Sequence, residues 1–334
     1  MIPLPLLDGD TFVIDNSALE GFQTCPRSAQ YTISRRLRPT GERVPLKFGG
    51  IVHKVLETRY RAGTGMYEQT PEVTSAMLAV AGAEYAKWSP PEDDFRNYDC
   101  AVSLIQKYGE AYPYESFDIV SFTPDRPAIE TPFALPLGVI HVDANFLIQP
   151  MQRDPTHGHL TPVGDPLSRF LSTIKILFTG KIDLIYRQSA GYYLMDHKTS
   201  SMATNMAEFE LSHQFQGYTW AVETLLNEPV QGICINRVVC RKPTRTGSAF
   251  TFERKLIPTS RGILSEWRTD ILHIIADYLE MSRRGYMPKH TAWCVGKFGT
   301  CPFHRVCLLD SPEQKEILLT SGDYQPNTWS PLTD

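Results

Sequence analysis

One stretch constrains this chain more than any other: Thr179–Ser201, TGKIDLIYRQSAGYYLMDHKTSS. Two apolar runs of strand length flank a turn-forming segment at Gln188–Gly191, so the stretch reads as a β-hairpin. Asp183 lies in the first run, between Ile182 and Leu184. Asp196 and Lys198 close the second run and share a face, because side chains alternate along a strand. A turn near Ser189 and Ala190 puts position 183 roughly opposite 196, so two carboxylates and an ammonium converge at one sheet edge. That set suits metal-assisted phosphodiester hydrolysis. Carboxylate oxygens bind Mg²⁺ or Mn²⁺, and the metal lowers the pKa of a bound water and neutralises phosphate charge. A lysine beside the metal orients or deprotonates the water. The same three residues also allow a plain hairpin salt bridge.

The remainder must build a scaffold for this hairpin. At 334 residues, 42% hydrophobic and 21% charged, the chain has a globular profile, which excludes disorder, collagen-like repeats and coiled coil. The length allows two domains or one large α/β domain. A helix is predicted over Asn16–Leu37, capped by Asn16 or Ser17 and interrupted at Pro26. Another is predicted over Phe48–Tyr60, with Ile51, Val55 and Tyr60 on one side and His53 one turn from Glu57. Helical periodicity continues to about Ser116, broken at SPPEDD. Strands are predicted at Ile129–Leu135, Ile140–Ile148, Ile174–Tyr186 and Gly191–Lys198, with 151–170 as a loop. A helix over Phe209–Leu226, a strand pair Gln231–Cys240 and Phe250–Leu256, and a long helix over Arg261–Met281 follow. The tail beyond Pro312 carries few packing signals. The pattern implies an α/β fold, a central sheet flanked by helices with a helical N-terminal part. No apolar run reaches the ~18 residues of a membrane span, and MIPLPLLDGDTFVIDN lacks signal-peptide character, so a cytoplasmic protein is expected. No G-x-x-x-x-G-K-[ST] occurs, so no motor of its own is expected.

Charge and cysteines add two further constraints. Basic segments at 20–61, 237–256 and 281–305 contrast with an acidic one at 63–135, within a net charge of −4. Such a distribution can form a positive groove for a polyanion on a negative body. Of seven cysteines, Cys100, Cys234 and Cys240 are scattered and read as small buried apolar residues. Cys294, Cys301 and Cys307 crowd into WCVGKFGTCPFHRVC, and Cys25 stands upstream in FQTCPRSAQY. Clustered cysteines in a chain without secretory character suggest a bound metal.

GKIDLI followed by GYYLMDHKTSS resembles the PD-(D/E)XK nuclease superfamily, and within it the RecB-like exonuclease branch. Asp196 holds an acidic position where Glu is commoner across the superfamily. GGIVHKVLE resembles the branch's helical histidine motif, HQFQGYTWA its Q-x-x-x-Y motif, and ALEGFQTCPRSAQY its N-terminal cysteine motif. The resemblance implies a restriction-endonuclease-like central mixed sheet flanked by helices in one nuclease domain, 1–310. Its parts would be a helical N-terminal part (16–118), a catalytic core (125–260) and a C-terminal helix with the cysteine cluster (261–310), followed by a tail (311–334). It implies a divalent Mg²⁺ or Mn²⁺ held by His53, Asp183, Asp196 and the backbone carbonyl of His197, with Lys198 activating water. Gln214 and Tyr218 would line the DNA path, Glu130 would support the site, and Arg35, Arg36, Arg38 and Arg43 would contact phosphates. As in AddB-type helicase–nucleases and the nuclease of CRISPR spacer acquisition, Cys25, Cys294, Cys301 and Cys307 would hold a [4Fe–4S] cluster closing the fold. Six residues separate Cys294 from Cys301 here, where two are common. The implied function is a metal-dependent exonuclease on single-stranded DNA or DNA ends in recombination or repair, beside a helicase or recombination partner. Its rivals are a weakly active DNA-end-binding subunit of such a complex and a zinc-binding DNA module.

Overall fold

The computed structural model describes the whole chain except residues 1, 3, 42, 63–67, 124, 143–145, 155–157, 164–171, 190, 203–204, 245–248, 297–298 and 328–334. Strands β1 (Leu6–Leu7) and β2 (Thr11–Ile14) precede helices α1 (Asn16–Thr24) and α2 (Pro26–Ala29), a π-turn at Gln30–Ser34 and strand β3 (Leu37–Pro39). Helices α3 (Val44–Ala62), α4 (Pro71–Tyr85) and α5 (Tyr98–Ala111) follow. The short strands β4 (Asp118–Ile119), β5 (Ser121–Thr123) and β6 (Arg126–Pro127) lead to β7 (Ile129–His141), β8 (Leu147–Arg153) and β9 (Leu160–Pro162). Then come β10 (Thr173–Gln188), β11 (Gly191–Ser200), α6 (His213–Leu226), β12 (Val230–Cys240), β13 (Phe250–Pro258) and α7 (Arg261–Arg284). The chain continues with β14 (Val295–Gly296), β15 (Gly299–Thr300), α8 (His304–Leu308), α9 (Pro312–Thr320) and β16 (Tyr324–Pro326).

These elements form two compact units, each drawn from non-adjacent segments: Met1–Gly41, Pro132–Gly180 and Gly262–Asp334 in the first, Glu42–Thr131 and Lys181–Arg261 in the second. In the second unit, β10 and β11 form the expected hairpin, antiparallel from Leu184↔Met195 to Gln188↔Gly191. Ser189 begins its tight turn at φ +54°, a left-handed conformation that suits two-residue hairpin turns. β11 runs parallel to β12, which pairs antiparallel with β13, and α6 makes the crossover a parallel pair requires. The sheet is therefore mixed and flanked by helices, as expected.

Helix α3 positions the site because it is apolar along two stripes. Phe48, Val52, Leu56 and Tyr60 pack with Leu104 and Tyr108 of α5 against Leu184, Met195, Cys234 and Val238 of the sheet. Ile51 and Val55 meet Val73, Met77 and Ala81 of α4 and Ala101 and Ile105 of α5. The four-residue spacing within each stripe is the helical repeat. Side-chain alternation then turns Asp196 and Lys198 to the opposite face of β11 from Met195.

In the first unit, β2 pairs parallel with the start of β10, from Lys175↔Thr11 to Phe178↔Ile14. Phe12, Phe22 and Tyr278 stack, the last two with ring centroids 4.0 Å apart. Several expectations need correction here. The cap of α1 is Asp15, whose side chain accepts the Ala18 N–H at 2.7 Å, because Asn16 already has helical geometry. The stretch Ile140–Ile148 is no single strand. Its apolar ends belong to β7 and β8, which pair antiparallel through His141↔Leu147. Residues 151–153 continue β8 and 160–162 form β9, where a loop was expected; 164–170 lie outside the described residues. The tail also packs: a capping box of Ser311 and Gln314 starts α9, Leu319 is buried, and β16 pairs with β3.

Candidate active site

Asp183 continues the hairpin ladder one residue beyond Leu184↔Met195, beside Asp196. Both carboxylates are buried, so each needs specific partners. Asp183 Oδ2 accepts the His197 backbone N–H at 2.7 Å. Its Oδ1 lies 3.4 Å from Nδ1 of His53, on α3. Glu130, near the start of β7, places Oε1 3.7 Å from the same nitrogen and Oε2 3.4 Å from Lys181 Nζ. One ligand atom each from His53, Glu130 and Asp183 lies within 4.8 Å of the others, and among the described residues no other group of three does so. Glu130 has φ +47°, a left-handed conformation unusual for a residue with a side chain, and such positions recur where a chain aims a functional group.

Asp196 stands outside that triad. Lys198 Nζ sits 2.8 Å from its Oδ2, Gln214 Nε2 donates to its Oδ1 at 3.1 Å, and Lys198 Nζ donates to Gln214 Oε1 at 2.8 Å. The three side chains form a closed polar triangle. Gln214 therefore turns inward to Asp196 and Lys198, and Tyr218 sits half-buried one turn further along α6. The Lys198 ammonium also lies 5.4 Å from the Phe215 ring centroid.

Electrostatics separate these groups. Burial works to lower the His53 pKa, but Asp183 and Glu130 outweigh it and hold it well above the usual imidazole range. Burial works to raise Asp183, and His53 and the His197 N–H more than reverse that, leaving it well below the carboxylate range. Burial lifts Asp196 to about 6, opposed by Lys198 and reinforced by Asp183. Titratable groups pushed apart in this way are typical of sites that do chemistry.

His197 is the hinge between this site and a buried network behind it. Its ring, lowered to about 3 chiefly by burial, stacks on Tyr60 with ring planes 4° apart and meets His53 edge-on at 5.8 Å. Asn236 of β12 lies 2.8 Å from its Nδ1 and donates to Tyr108 Oη at 2.8 Å. Arg254 of β13 donates to Asn236 Oδ1 at 3.2 Å, to Tyr108 Oη at 3.0 Å, and to both Glu115 oxygens at 2.6 Å. Tyr60 donates to Glu115 at 3.2 Å. No local pattern in the sequence points to Tyr108, Arg254 or Glu115; for Asn236, an asparagine inside the apolar run GICINRVV is the one visible signal.

The four motif cysteines lie elsewhere in the fold and are not clustered. Cys25, between α1 and α2, and Cys294, Cys301 and Cys307 line one cavity of about 170 Å³, with Ser28, Lys289, Trp293 and His304 also on its wall. The Cys301 N–H donates to the Cys294 carbonyl at 2.8 Å, and Val295 pairs with Thr300. Among the described residues no three of these sulfurs lie within 4.8 Å of one another. Cys234 and Cys240 are buried as expected, whereas Cys100 is half-buried with its sulfur against that of Cys240.

No helix among the described residues is long and apolar enough to cross a membrane. No curated protein matches the chain. Among solved structures, a candidate exonuclease from Eubacterium rectale is similar, 11% identical over 93% of each chain with a TM-score of 0.48. SSO0001 is 12% identical over 80% of this chain and 76% of that one, with a TM-score of 0.29. A sequence profile of the PD-(D/E)XK nuclease superfamily matches residues 16–308, a span that contains the triad, the Asp196-x-Lys198 pair and all four cavity cysteines. The chain belongs to the PD-(D/E)XK nuclease superfamily.

Proposed function

We propose that this chain is a metal-dependent deoxyribonuclease of the RecB-like exonuclease branch, acting on single-stranded DNA or DNA ends. The observation that carries the reading is the convergence of His53, Glu130 and Asp183 beside the Asp196–Lys198–Gln214 triangle. Two carboxylates and an imidazole fit a Mg²⁺ or Mn²⁺ ion. We assign His53, Asp183 and Glu130 as its holders, with Asp196 and the His197 carbonyl completing the set. Bound there, the metal supplies a low-pKa water and offsets phosphate charge. Lys198, held by Asp196 and Gln214, orients the water and shields the charge that builds on the phosphoryl oxygens. Gln214 acts by positioning Lys198, and Tyr218 offers a ring to a base along the strand path. Phosphate contacts from the basic segments, Arg35, Arg36, Arg38 and Arg43 among them, would bind DNA without regard to sequence.

We further propose that Cys25, Cys294, Cys301 and Cys307 bind a [4Fe–4S] cluster. Four thiols on one cavity wall fit the donor set of such a cluster, and its role would be mechanical, joining the two ends of the first unit. With no motor motif of its own, the chain would act alone or beside a helicase or recombination partner.

Incubating the purified protein with end-labelled single-stranded and duplex DNA and Mn²⁺ tests the nuclease reading, with Asp183→Asn and Lys198→Ala as controls. Degradation that requires Mn²⁺ and disappears in both variants is expected. Binding to DNA ends without any Mn²⁺-dependent cleavage would replace the enzyme reading by that of a DNA-end-binding subunit. Iron and acid-labile sulfide analysis tests the cluster, and zinc in their place would overturn it.

A further inference from the structure

Cys100 and Cys240 take no part in either proposed site, yet their sulfurs lie 3.3 Å apart across 140 residues of chain. The two are not equivalent. Asn97 caps α5 by accepting the Cys100 N–H at 3.0 Å, so Cys100 stands in the first turn of a helix. The partial positive charge at that end favours a thiolate. Cys100 is half-buried, within reach of a small solute, whereas Cys240 ends β12 at 3% exposure. A hydrogen bond from Cys240 holds the Cys100 thiol below its ordinary range against burial, with Arg96 helping and Asp94 opposing. Cys240, bonded to Cys100 and buried, is held well above its own.

We propose that Cys100 and Cys240 are an oxidative modification site for a peroxide, with Cys100 as the attacking thiol and Cys240 as the resolving one. In the first step the Cys100 sulfur attacks one oxygen of hydrogen peroxide and the O–O bond breaks. Cys100 becomes a sulfenic acid, and the departing hydroxide takes up the thiol proton to leave as water. In the second step the Cys240 sulfur attacks the sulfenic sulfur, the S–S bond forms, and the hydroxyl leaves with the Cys240 proton as a second water. Two thiols lose two electrons and one peroxide gains them, so the sequence balances. The product ties α5 to β12. Those elements carry Tyr108 and Asn236, so oxidation would stiffen the network behind His197.

The test uses the whole protein, cleared of reductant, before and after treatment with hydrogen peroxide. Free thiols are blocked with N-ethylmaleimide and the protein is digested with trypsin without reduction. A linked pair of peptides, 97–107 and 238–241, is expected after peroxide and is lost on adding dithiothreitol. In Cys240→Ser, dimedone should label Cys100; in Cys100→Ser, Cys240 should stay unlabelled. If wild-type protein exposed to peroxide yields both peptides unlinked, with each cysteine carrying maleimide, the site does not exist. Dimedone on Cys240 with Cys100 replaced would overturn the assigned order of attack. The wild-type digest decides the first point even where a serine variant fails to fold.

Discussion

His53 ties the candidate site to pH through a single ring. Asp183 and Glu130 raise its pKa well above the usual value despite burial, so in the metal-free protein the imidazole holds a proton near neutrality. A divalent cation needs the neutral ring and must displace that proton. Affinity for Mn²⁺ should therefore rise with pH through the neutral range and level off once His53 is deprotonated. Calorimetry in buffers of different ionisation enthalpy should detect about one proton released per metal, and an affinity flat in pH would contradict the assignment. Asp196 sets a lower limit. With its pKa near 6, it is ionised and pairs Lys198 above that pH, and it loses the pair as pH falls through it. Nuclease activity should drop over the same interval. Lys198→Ala should cut turnover by about 10²–10³ while leaving Mn²⁺ affinity nearly intact, because the ammonium touches Asp196 and Gln214 and stands outside the His53–Glu130–Asp183 triad.

Strands β12 and β13 govern the site without entering it. Asn236 satisfies His197 Nδ1, Tyr108 and Arg254 at once. Asn236→Ala should cost about 1–3 kcal/mol in a urea titration by orphaning buried groups. It should also weaken Mn²⁺ binding about 10-fold or more, as loss of an outer-shell partner does. A loss of stability with metal affinity unchanged would reduce the network to a structural one. Glu115→Gln removes the charge facing Arg254 and Arg59 and should destabilise by about 3 kcal/mol. At this scale much was legible. The β10–β11 hairpin, its register, the β12–β13 pair, α6 and α7 follow from local periodicity and turn residues. The misreadings also have local causes. Apolar runs on both sides of 143–145 hid the boundary between β7 and β8, and the weak amphipathicity of α9 hid a helix whose capping box, Ser311 to Gln314, was in plain view.

For the molecule as a whole, the spacing of cysteines along the chain sets the expectation. Cys25 and Cys294 lie far apart in sequence and on one cavity wall in the structure, so a metal cluster there would close a very long loop and stabilise the first unit. Cys25→Ala should lose the visible absorption of the cluster and lower the unfolding temperature. A variant that keeps both would argue for an ordinary thiol cavity. The length left one or two domains open because each compact unit draws on separated segments, with β7 and β10 contributing residues to both units. What the sequence by itself determined is the kind of donor and its local placement: Asp183 and Asp196-x-Lys198 on a hairpin, His53 on a helix, and four thiols in recognisable settings. These follow from strand alternation and helical period, which extend over a few residues. Only the tertiary structure decided which donors meet. It brings Glu130 to His53 and Asp183, turns Gln214 onto Lys198, sets Asn236 against His197, and brings Cys100 to Cys240. Such contacts span tens to more than a hundred residues, and packing of one element on another fixes them, which no local pattern encodes.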